Sequence, residues 1–513
     1  MEKFKLFRTF NGDLAPKSTR FAYSFISTFR DALLQFVSLF LLLYVQFASP
    51  LGKENVSTYE NMYLIITIGV ALIKIISGLL APFTSFLIEK SNFKMGKYRP
   101  FILFGAIITS FFYFLMFFTP GEGYLYVVLF LLFVFFQEIT YQLNDVAFWG
   151  YLPSLATDEV KRAKVLSLMN FFIAIGTYTV CAISPLLTTG NAKNNLTIVA
   201  IFVGALYVIS QIVFALFFMK EKEVNITTKS NFKLKDSYLP LFKDKQILLV
   251  MIAFLLQFTA QFIIIGNSAN YFYYNYGYGS FSSTPLEGAL LSGGVMSFIF
   301  SLVYGVGFTL AMVLYPFLAK KVSKKRMLIV SLIILTIGYL YMFYFGFNKG
   351  FEISLFIAGF FTFFFQGIVY IIFTMNCTNI VEYHEYYYKK RIASSVASFK
   401  FLSVKFANGI QTILLYIFLL ISSLFSLNNS ISNAEALFNT HEIDEISKNE
   451  MILESILSTP NLSTSLIIYR IGFVILPLIL LIIGILITLK FVKILDEKTY
   501  ENIKNELLKN PNC

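Results

Sequence analysis

Twelve long apolar segments run through this chain, and each is long enough to cross a lipid bilayer as a helix. They lie near residues 21–49, 61–88, 101–119, 123–153, 165–188, 196–220, 247–270, 285–318, 327–347, 351–382, 392–427 and 465–493. A spanning helix needs about 20 apolar residues, so 513 residues accommodate twelve such helices and short loops. Only 14% of the residues are charged, against roughly 25% in soluble domains. The sequence therefore predicts an all-α integral membrane protein and excludes soluble enzymes.

The basic residues collect on one side of these segments. Of the 41 Lys and Arg residues, 32 lie in the two tails and in alternate loops, four lie in the opposite loops and five lie within segments. Because Lys and Arg are enriched in cytoplasmic loops, both termini are predicted to be cytoplasmic, in a plasma (inner) membrane. The net charge of +12 then reflects topology, and no nucleic-acid partner is expected.

The chain divides at a charged stretch, 221–246, which has the composition of a cytoplasmic linker. It separates a predicted six-helix bundle at 1–220 from a second bundle, with a cytoplasmic tail, at 247–513. The second segment ends with Pro82-Phe83 and a basic loop, and the eighth ends with Pro316-Phe317 and a basic loop. Two related six-helix halves are the arrangement found in major facilitator transporters.

Two stretches on the predicted outer side have simple interpretations. Residues 428–464 carry six acids and one lysine, as a solvated loop would. The run NYFYYNYGYG ends the seventh segment, and most of its tyrosines are expected to form an aromatic belt at the membrane interface.

Several charged residues fall inside the predicted segments, where a charge is costly and therefore marks a functional site. They include Arg30, Asp31, Lys74, Glu138, Asp145, Lys400 and Lys405. At 1.5 Å per residue, the two aspartates lie about 12–15 Å from the cytoplasmic end and the last two lysines about 13–20 Å. Both halves thus place charges near the midplane, where alternating-access carriers bind substrate. A structural interpretation stays open, in which Asp31 with Arg30, or Asp145 with a lysine, only fixes helix packing.

The fourth segment carries a polar stripe made of Glu138, Gln142, Asp145 and Trp149, which are spaced to share one helical face. Carboxylates accept hydrogen bonds from hydroxyl groups, and an aromatic face packs against the C–H groups of a sugar ring. The stripe therefore suits a sugar. Trp149, which lies near the cytoplasmic end, has a second interpretation as an interfacial anchor.

Four stretches together resemble one family, the glycoside–pentoside–hexuronide:cation symporters of the major facilitator superfamily. They are TFRDALLQF, GKYRPFILFGA, NDVAFWGYLPSLATDEVKRAKVL and NIVEYHEYYYKKRIASSVASFKFLSVKFANG. The resemblance implies that Asp31 and Asp145 accept sugar hydroxyls, that Trp149 stacks on the sugar, and that Lys405 lies near the cation site. Gln142 and Asn170, the latter at the family's span-five arginine position, complete the expected substrate site.

The chain departs from this family where sodium would bind. The family's D-x-x-x-D-P pattern holds Na⁺ with carboxylates, but this chain reads SGLLAP, with Ser77 and Ala81 at those positions. A methyl group cannot ligate a hard cation, and the charge of Lys74 can take the cation's place. We therefore expect H⁺ rather than Na⁺ as the coupling cation, carried by Asp145, Glu138 or Asp31, with an uncoupled facilitator as the alternative. No metal site or further cofactor is expected.

The predicted function is secondary-active transport of a sugar or glycoside by a monomer in contact with membrane lipid. The coupling network comprises Arg30, Lys74, Ser77, Glu138, Lys400 and Lys405. Cytoplasmic gate residues, or alternatively plain topology determinants, are Lys97, Arg99, Arg326 and Arg391. A lysolipid carrier of the same superfamily is the second candidate. A membrane-embedded enzyme is disfavoured, because both histidines, His384 and His441, fall in loop-like settings.

Overall fold

Twelve helices in the computed structural model are long and apolar enough to cross a membrane. The structure describes residues 9–10, 14–91, 93, 95–156, 159–222, 244–388 and 393–509. We number the helices as spans 1–12 and call the side opposite the chain termini the outer side. Spans 1–6 are Lys17–Lys53, Val56–Lys90, Arg99–Phe117, Gly123–Leu155, Glu159–Thr188 and Ala192–Phe218. Spans 7–12 are Lys245–Tyr276, Gly293–Leu318, Lys324–Gly346, Glu352–Tyr388, Ala393–Ile421 and Leu462–Phe491.

The all-α prediction is confirmed, with one small addition on the side of the chain termini. Two dipeptide strands, Thr9–Phe10 and Glu221–Lys222, pair in parallel and tie the start of the chain to the end of span 6. A short helix, Glu497–Lys509, follows span 12. Most of the predicted linker, 223–243, lies outside the described residues.

Several spans are interrupted by π turns. Span 1 begins as an α-helix over Lys17–Gln35, passes through a five-residue π turn at Phe36–Phe40 and resumes as an α-helix over Leu41–Phe47. Single π turns inside α-helices often lie at functional sites because they redirect backbone groups. The turn in span 1 presents the Ser38 carbonyl to a lysine of span 2.

The packing of the first six spans repeats in the last six. In the first half, span 1 packs on span 5, and spans 2 and 3 both pack on span 4. In the second half, span 7 packs on span 11, and spans 8 and 9 both pack on span 10. The two sets meet through span 2 against span 11 and span 5 against span 8. This is the arrangement of two parallel repeats related by an axis along the membrane normal.

The outer side differs from both sequence-based interpretations. Residues 428–464 are not a solvated loop, since two helices, Phe425–Asn439 and Glu445–Ser458, cover most of this stretch. The tyrosines that end span 7 are not an interfacial belt, because Tyr271, Tyr273 and Tyr274 are all 0% exposed. Their hydroxyl groups bond to other parts of the protein, as Tyr273 does to the Pro185 carbonyl at 2.5 Å. The expectation failed because span 5, the residue after span 9 and the helix Phe425–Asn439 supply partners that a local sequence does not reveal.

Candidate functional site

The candidate site is built around one arginine shared by two carboxylates. Arg30 donates to Asp31 Oδ2 at 2.7 Å through Nη2 and to Asp145 Oδ1 at 2.6 Å through Nη1. The guanidinium is 1% exposed, whereas the two acids keep 10% and 8% of their side chains exposed. Within the described residues no group donates to the second oxygen of either acid. The arrangement fixes spans 1 and 4 together and still leaves two carboxylate oxygens available as acceptors.

Two aromatic rings of span 4 cover the same guanidinium. The carbon at its centre lies 4.3 Å from the centroid of Phe148 and 5.2 Å from that of Trp149. Trp149 also meets Phe401 of span 11 edge-on, with 6.4 Å between ring centroids. Trp149 is therefore part of the charged cluster and of the contact between the halves, which favours its role in the site over that of an interfacial anchor.

The polar stripe of span 4 continues toward the outer side. Gln142 lies one turn beyond Asp145 and accepts a hydrogen bond from Ser77 of span 2. Its amide nitrogen is buried and has no partner among the described residues. A buried, unsatisfied donor is costly, so this amide is an available hydrogen-bonding group for a ligand.

A second ion pair crosses from one half to the other. Lys405 of span 11 donates to Glu138 of span 4, whose side chain is 4% exposed. The Lys405 ammonium also lies 5.6 Å from the ring centroid of Tyr141. Spans 2 and 11 approach closely at this level, since a Cβ on Gly78 would lie 3.0 Å from Lys405 Cβ.

Lys74 is held by neutral oxygen atoms. Its ammonium donates to Asn408 Oδ1 at 2.5 Å and to the Ser38 carbonyl at 3.3 Å, and it lies 3.5 Å from Thr412 Oγ1. The side chain is 3% exposed. Spans 1 and 11 thus surround the Lys74 amino group of span 2 with oxygen atoms, as they would surround a bound cation.

Other predicted residues lie apart from these clusters. Lys400 is half-buried, with its ammonium 5.5 Å from the ring centroid of Phe254, and within the described chain no carboxylate pairs with it. Asn170 is exposed on span 5, and none of its described contacts joins it to the Arg30 cluster. The structure therefore does not bring Asn170 together with the other expected substrate residues.

The predicted cytoplasmic gate residues are described only in part, and the contacts that the structure gives for them are local. Arg99 donates to the Met219 carbonyl at 2.6 Å, a contact that ties span 3 to the end of span 6 in the same half. The Lys97 ammonium lies 5.5 Å from the ring centroid of Tyr98, and Arg326 is exposed. Arg391 lies outside the described residues. The contact made by Arg99 stabilises one half and does not bridge the two.

The structure adds residues that sequence reasoning missed. Asn408 and Thr412 fall three and seven residues after Lys405, so the periodicity that revealed the stripe in span 4 would have revealed them in span 11. His384 is not in a loop: it lies on span 10, is 5% exposed and bonds through Nδ1 to Asp244 Oδ2 at 2.9 Å. In the described chain no group of three or more His, Cys, Asp or Glu residues forms a metal-binding cluster.

Curated relatives of this chain are sugar carriers by name. Over 162 residues it is 26% identical to the raffinose carrier protein of Pediococcus pentosaceus, covering 31% of this chain and 25% of that protein. Over 377 residues it is 23% identical to the lactose permease of Lactobacillus helveticus, covering 70% and 56%. The chain thus spans a quarter to just over half the length of these relatives.

Solved structures share the fold at low sequence identity. A bacterial homologue of the human lysosomal transporter Spinster, in its inward-facing and unoccupied conformation, gives a TM-score of 0.60 at 11% identity over 94% of this chain and 97% of that one. A D-xylose-proton symporter gives 0.55 at 15% identity over 83% and 99%. These likenesses establish the twelve-span transporter fold.

The family model described as MFS/sugar transport protein matches residues 60–441, which include most of the spans and all of the candidate site except Arg30, Asp31 and Ser38. The four sequence motifs predicted the same superfamily independently. The chain belongs to the MFS/sugar transport protein family.

Proposed function

We propose that this multi-pass membrane protein carries a sugar or glycoside across the plasma membrane by alternating access, with both termini in the cytoplasm. The observation that carries the proposal is the pair of carboxylates held by Arg30, each with a second oxygen that is not bonded within the described chain. Hydroxyl groups of a sugar are the donors that such oxygens accept. The raffinose carrier, the lactose permeases and the D-xylose-proton symporter support this substrate class by their names.

The substrate would lie against span 4. Asp31 and Asp145 accept hydroxyl hydrogen bonds, the Gln142 amide donates one, and Trp149 packs against the C–H face of the ring. All of these side chains belong to one chain, so a monomer is the proposed transporting unit.

Movement of the halves would break two polar links that join them through span 11. Glu138–Lys405 and Lys74–Asn408 both join the first six spans to span 11. Rocking one half against the other separates these partners, and substrate binding must compensate for exposing them.

Proton coupling is the coupling mode that this arrangement favours. A proton on Glu138 would remove the charge that holds Lys405, so proton binding and separation of the halves would favour each other. Sodium is disfavoured, because Ala81 offers a methyl group, Ser77 bonds to Gln142, and the Lys74 ammonium lies among the oxygen atoms beside them. An uncoupled facilitator is the alternative.

The test is uptake of radiolabelled lactose, raffinose and xylose into proteoliposomes that contain the purified protein. We expect uptake of at least one sugar, accumulation when the outside is more acidic than the inside, and equal rates in sodium, lithium and choline chloride. Strong stimulation by sodium would contradict the cation assignment, and uptake without accumulation at any pH would indicate a facilitator. Transport of lysophosphatidylcholine without transport of any sugar would overturn the substrate class.

A further inference from the structure

The outer segment between spans 11 and 12 contains a buried ion pair. Glu435 lies on the helix Phe425–Asn439 and Lys448 on the helix Glu445–Ser458, with 3.5 Å between Lys448 Nζ and Glu435 Oε1. Both side chains are 0% exposed. Charges are taken out of water at a high cost, so a pair buried above the membrane requires further partners that complete its hydrogen bonds.

Tyr278, which follows span 7 in the same half, donates its hydroxyl to Glu435 Oε1 at 3.0 Å, and two further partners come from the other half of the protein. The backbone N–H of Ala192, at the start of span 6, donates to Glu435 Oε2 at 3.0 Å. Lys448 donates to the carbonyl of Gly190, in the turn between spans 5 and 6. A carboxylate at a helix N-terminus is further stabilised by the helix dipole. The pair therefore keeps these two backbone hydrogen bonds only while spans 5 and 6 lie against this segment.

A second attachment holds the same segment to spans 1 and 2. Asn428 donates through Nδ2 to the Tyr59 hydroxyl at 2.6 Å and accepts from the Tyr274 hydroxyl at 2.9 Å. Next to it, Ser432 packs directly on Gly52, where an added Cβ would lie 2.3 Å from the Ser432 carbonyl oxygen. The segment thus belongs covalently to the second half and is bonded to the first half at two separate places.

We propose that residues 425–458 form an outer lid, and that the Glu435–Lys448 pair latches this lid onto the turn between spans 5 and 6 when the outer side is closed. The inference rests on the proposed alternating-access function. Opening the outer side moves the first half away from the second, so it must withdraw Ala192 and Gly190 from the pair. The freed charges then return to water, where each is solvated and the attraction between them is weak.

Hydrogen–deuterium exchange of the purified full-length protein in lipid nanodiscs tests the latch without requiring a known substrate. The variants are Glu435→Ala and Lys448→Ala, each of which leaves one buried charge without its partner. Matched controls are Glu450→Ala and Lys193→Ala, which remove exposed charges of the same kinds from the lid and from the start of span 6. A double variant, E435M/K448M, removes both charges and so leaves no unpaired one.

We expect both single variants to raise exchange about tenfold or more in peptides covering 186–195 and 425–458, while 99–155 and both controls behave as the wild type. The double variant should show a smaller rise than either single variant. Wild-type exchange in both single variants would overturn the latch, and so would a rise spread equally over 99–155. Because the readout is independent of sugar, failure of the sugar assignment leaves it intact, whereas sugar uptake with unchanged exchange overturns the lid alone.

Discussion

At the scale of single residues, Arg30 determines what the two aspartates can do. One guanidinium binds one oxygen of each acid, so the cluster keeps two available acceptor oxygens. Phe148 and Trp149 cover the guanidinium and shield it from competing solvent. Removing the arginine should therefore destabilise the protein more than removing one aspartate, because only the loss of the arginine leaves two buried carboxylates unpaired.

Asp31→Asn and Asp145→Asn should each weaken sugar binding while the protein still folds. Asparagine keeps the side-chain shape but loses a charge-assisted hydrogen bond, which is worth about 1.5–3 kcal/mol, or roughly a tenfold to hundredfold loss of affinity. Isothermal titration of the purified protein with the transported sugar measures this, and Glu450→Gln is the exposed control. Wild-type affinity in both aspartate variants would show that the sugar binds elsewhere.

At the scale of helices, spans 1 and 5 touch through their backbones beside this cluster. A Cβ on Gly176 would lie 2.0 Å from the Thr28 carbonyl oxygen, so no residue larger than glycine fits at this crossing. Ser27 adds a hydrogen bond to the Met169 carbonyl at 3.3 Å. Arg30 and Asp31 follow immediately on span 1, so the crossing sets where the cluster lies.

Gly176→Ala should therefore push span 5 away from span 1 and weaken the site as well as the fold. We expect a loss of about 1–3 kcal/mol of stability from overpacking, with a lower sugar affinity because Asp31 moves with its helix. Thermal unfolding and sugar titration of the same sample separate these effects. Gly484→Ala is the control, since its nearest neighbour would lie at an ordinary 3.4 Å; equal behaviour of the two variants would contradict the close crossing.

The sequence predicted the positions of the spans more accurately than it predicted the irregular turns within them and the helices between them. All twelve apolar segments correspond to spans, because a bilayer admits hardly any structure other than a helix for such a stretch. The π turn at Phe36–Phe40 and the two lid helices were missed. Each makes contacts with distant residues, Lys74 at the turn and Gly190 and Ala192 at the lid, and such contacts leave no local periodicity.

At the scale of the whole molecule, polar links join the halves near the midplane and others join them at the outer side. Glu138–Lys405 and Lys74–Asn408 cross between spans 2, 4 and 11, while the lid contacts cross above the membrane. In the proposed alternating-access cycle, the outer links are released each time the outer side opens. We infer that Glu138 is the group through which a proton influences this release.

Glu138→Gln should separate transport from proton coupling. The amide keeps the size of the carboxylate but has no charge to bind Lys405 and no proton to exchange, so accumulation driven by an outside-acidic pH gradient should fall to the equilibrium level. Sugar counterflow, which requires no net proton movement, should continue. Both are measured in proteoliposomes, with Glu450→Gln as control, and retained accumulation would place the coupling proton on another group.

The sequence alone determined that this chain is a twelve-span membrane protein with charges inside its apolar segments. The reason is that the length of an apolar segment determines whether it crosses a bilayer, and the placement of Lys and Arg favours its direction. Its motifs also indicated the superfamily. The tertiary structure alone decided which charges meet: Arg30 with two acids, Glu138 with Lys405, and Lys74 with Asn408 in place of any carboxylate. It also showed that an acidic outer stretch buries Glu435 with Lys448. The reason is physical, since the partner of a buried charge lies on another helix and distance along the chain does not reveal it.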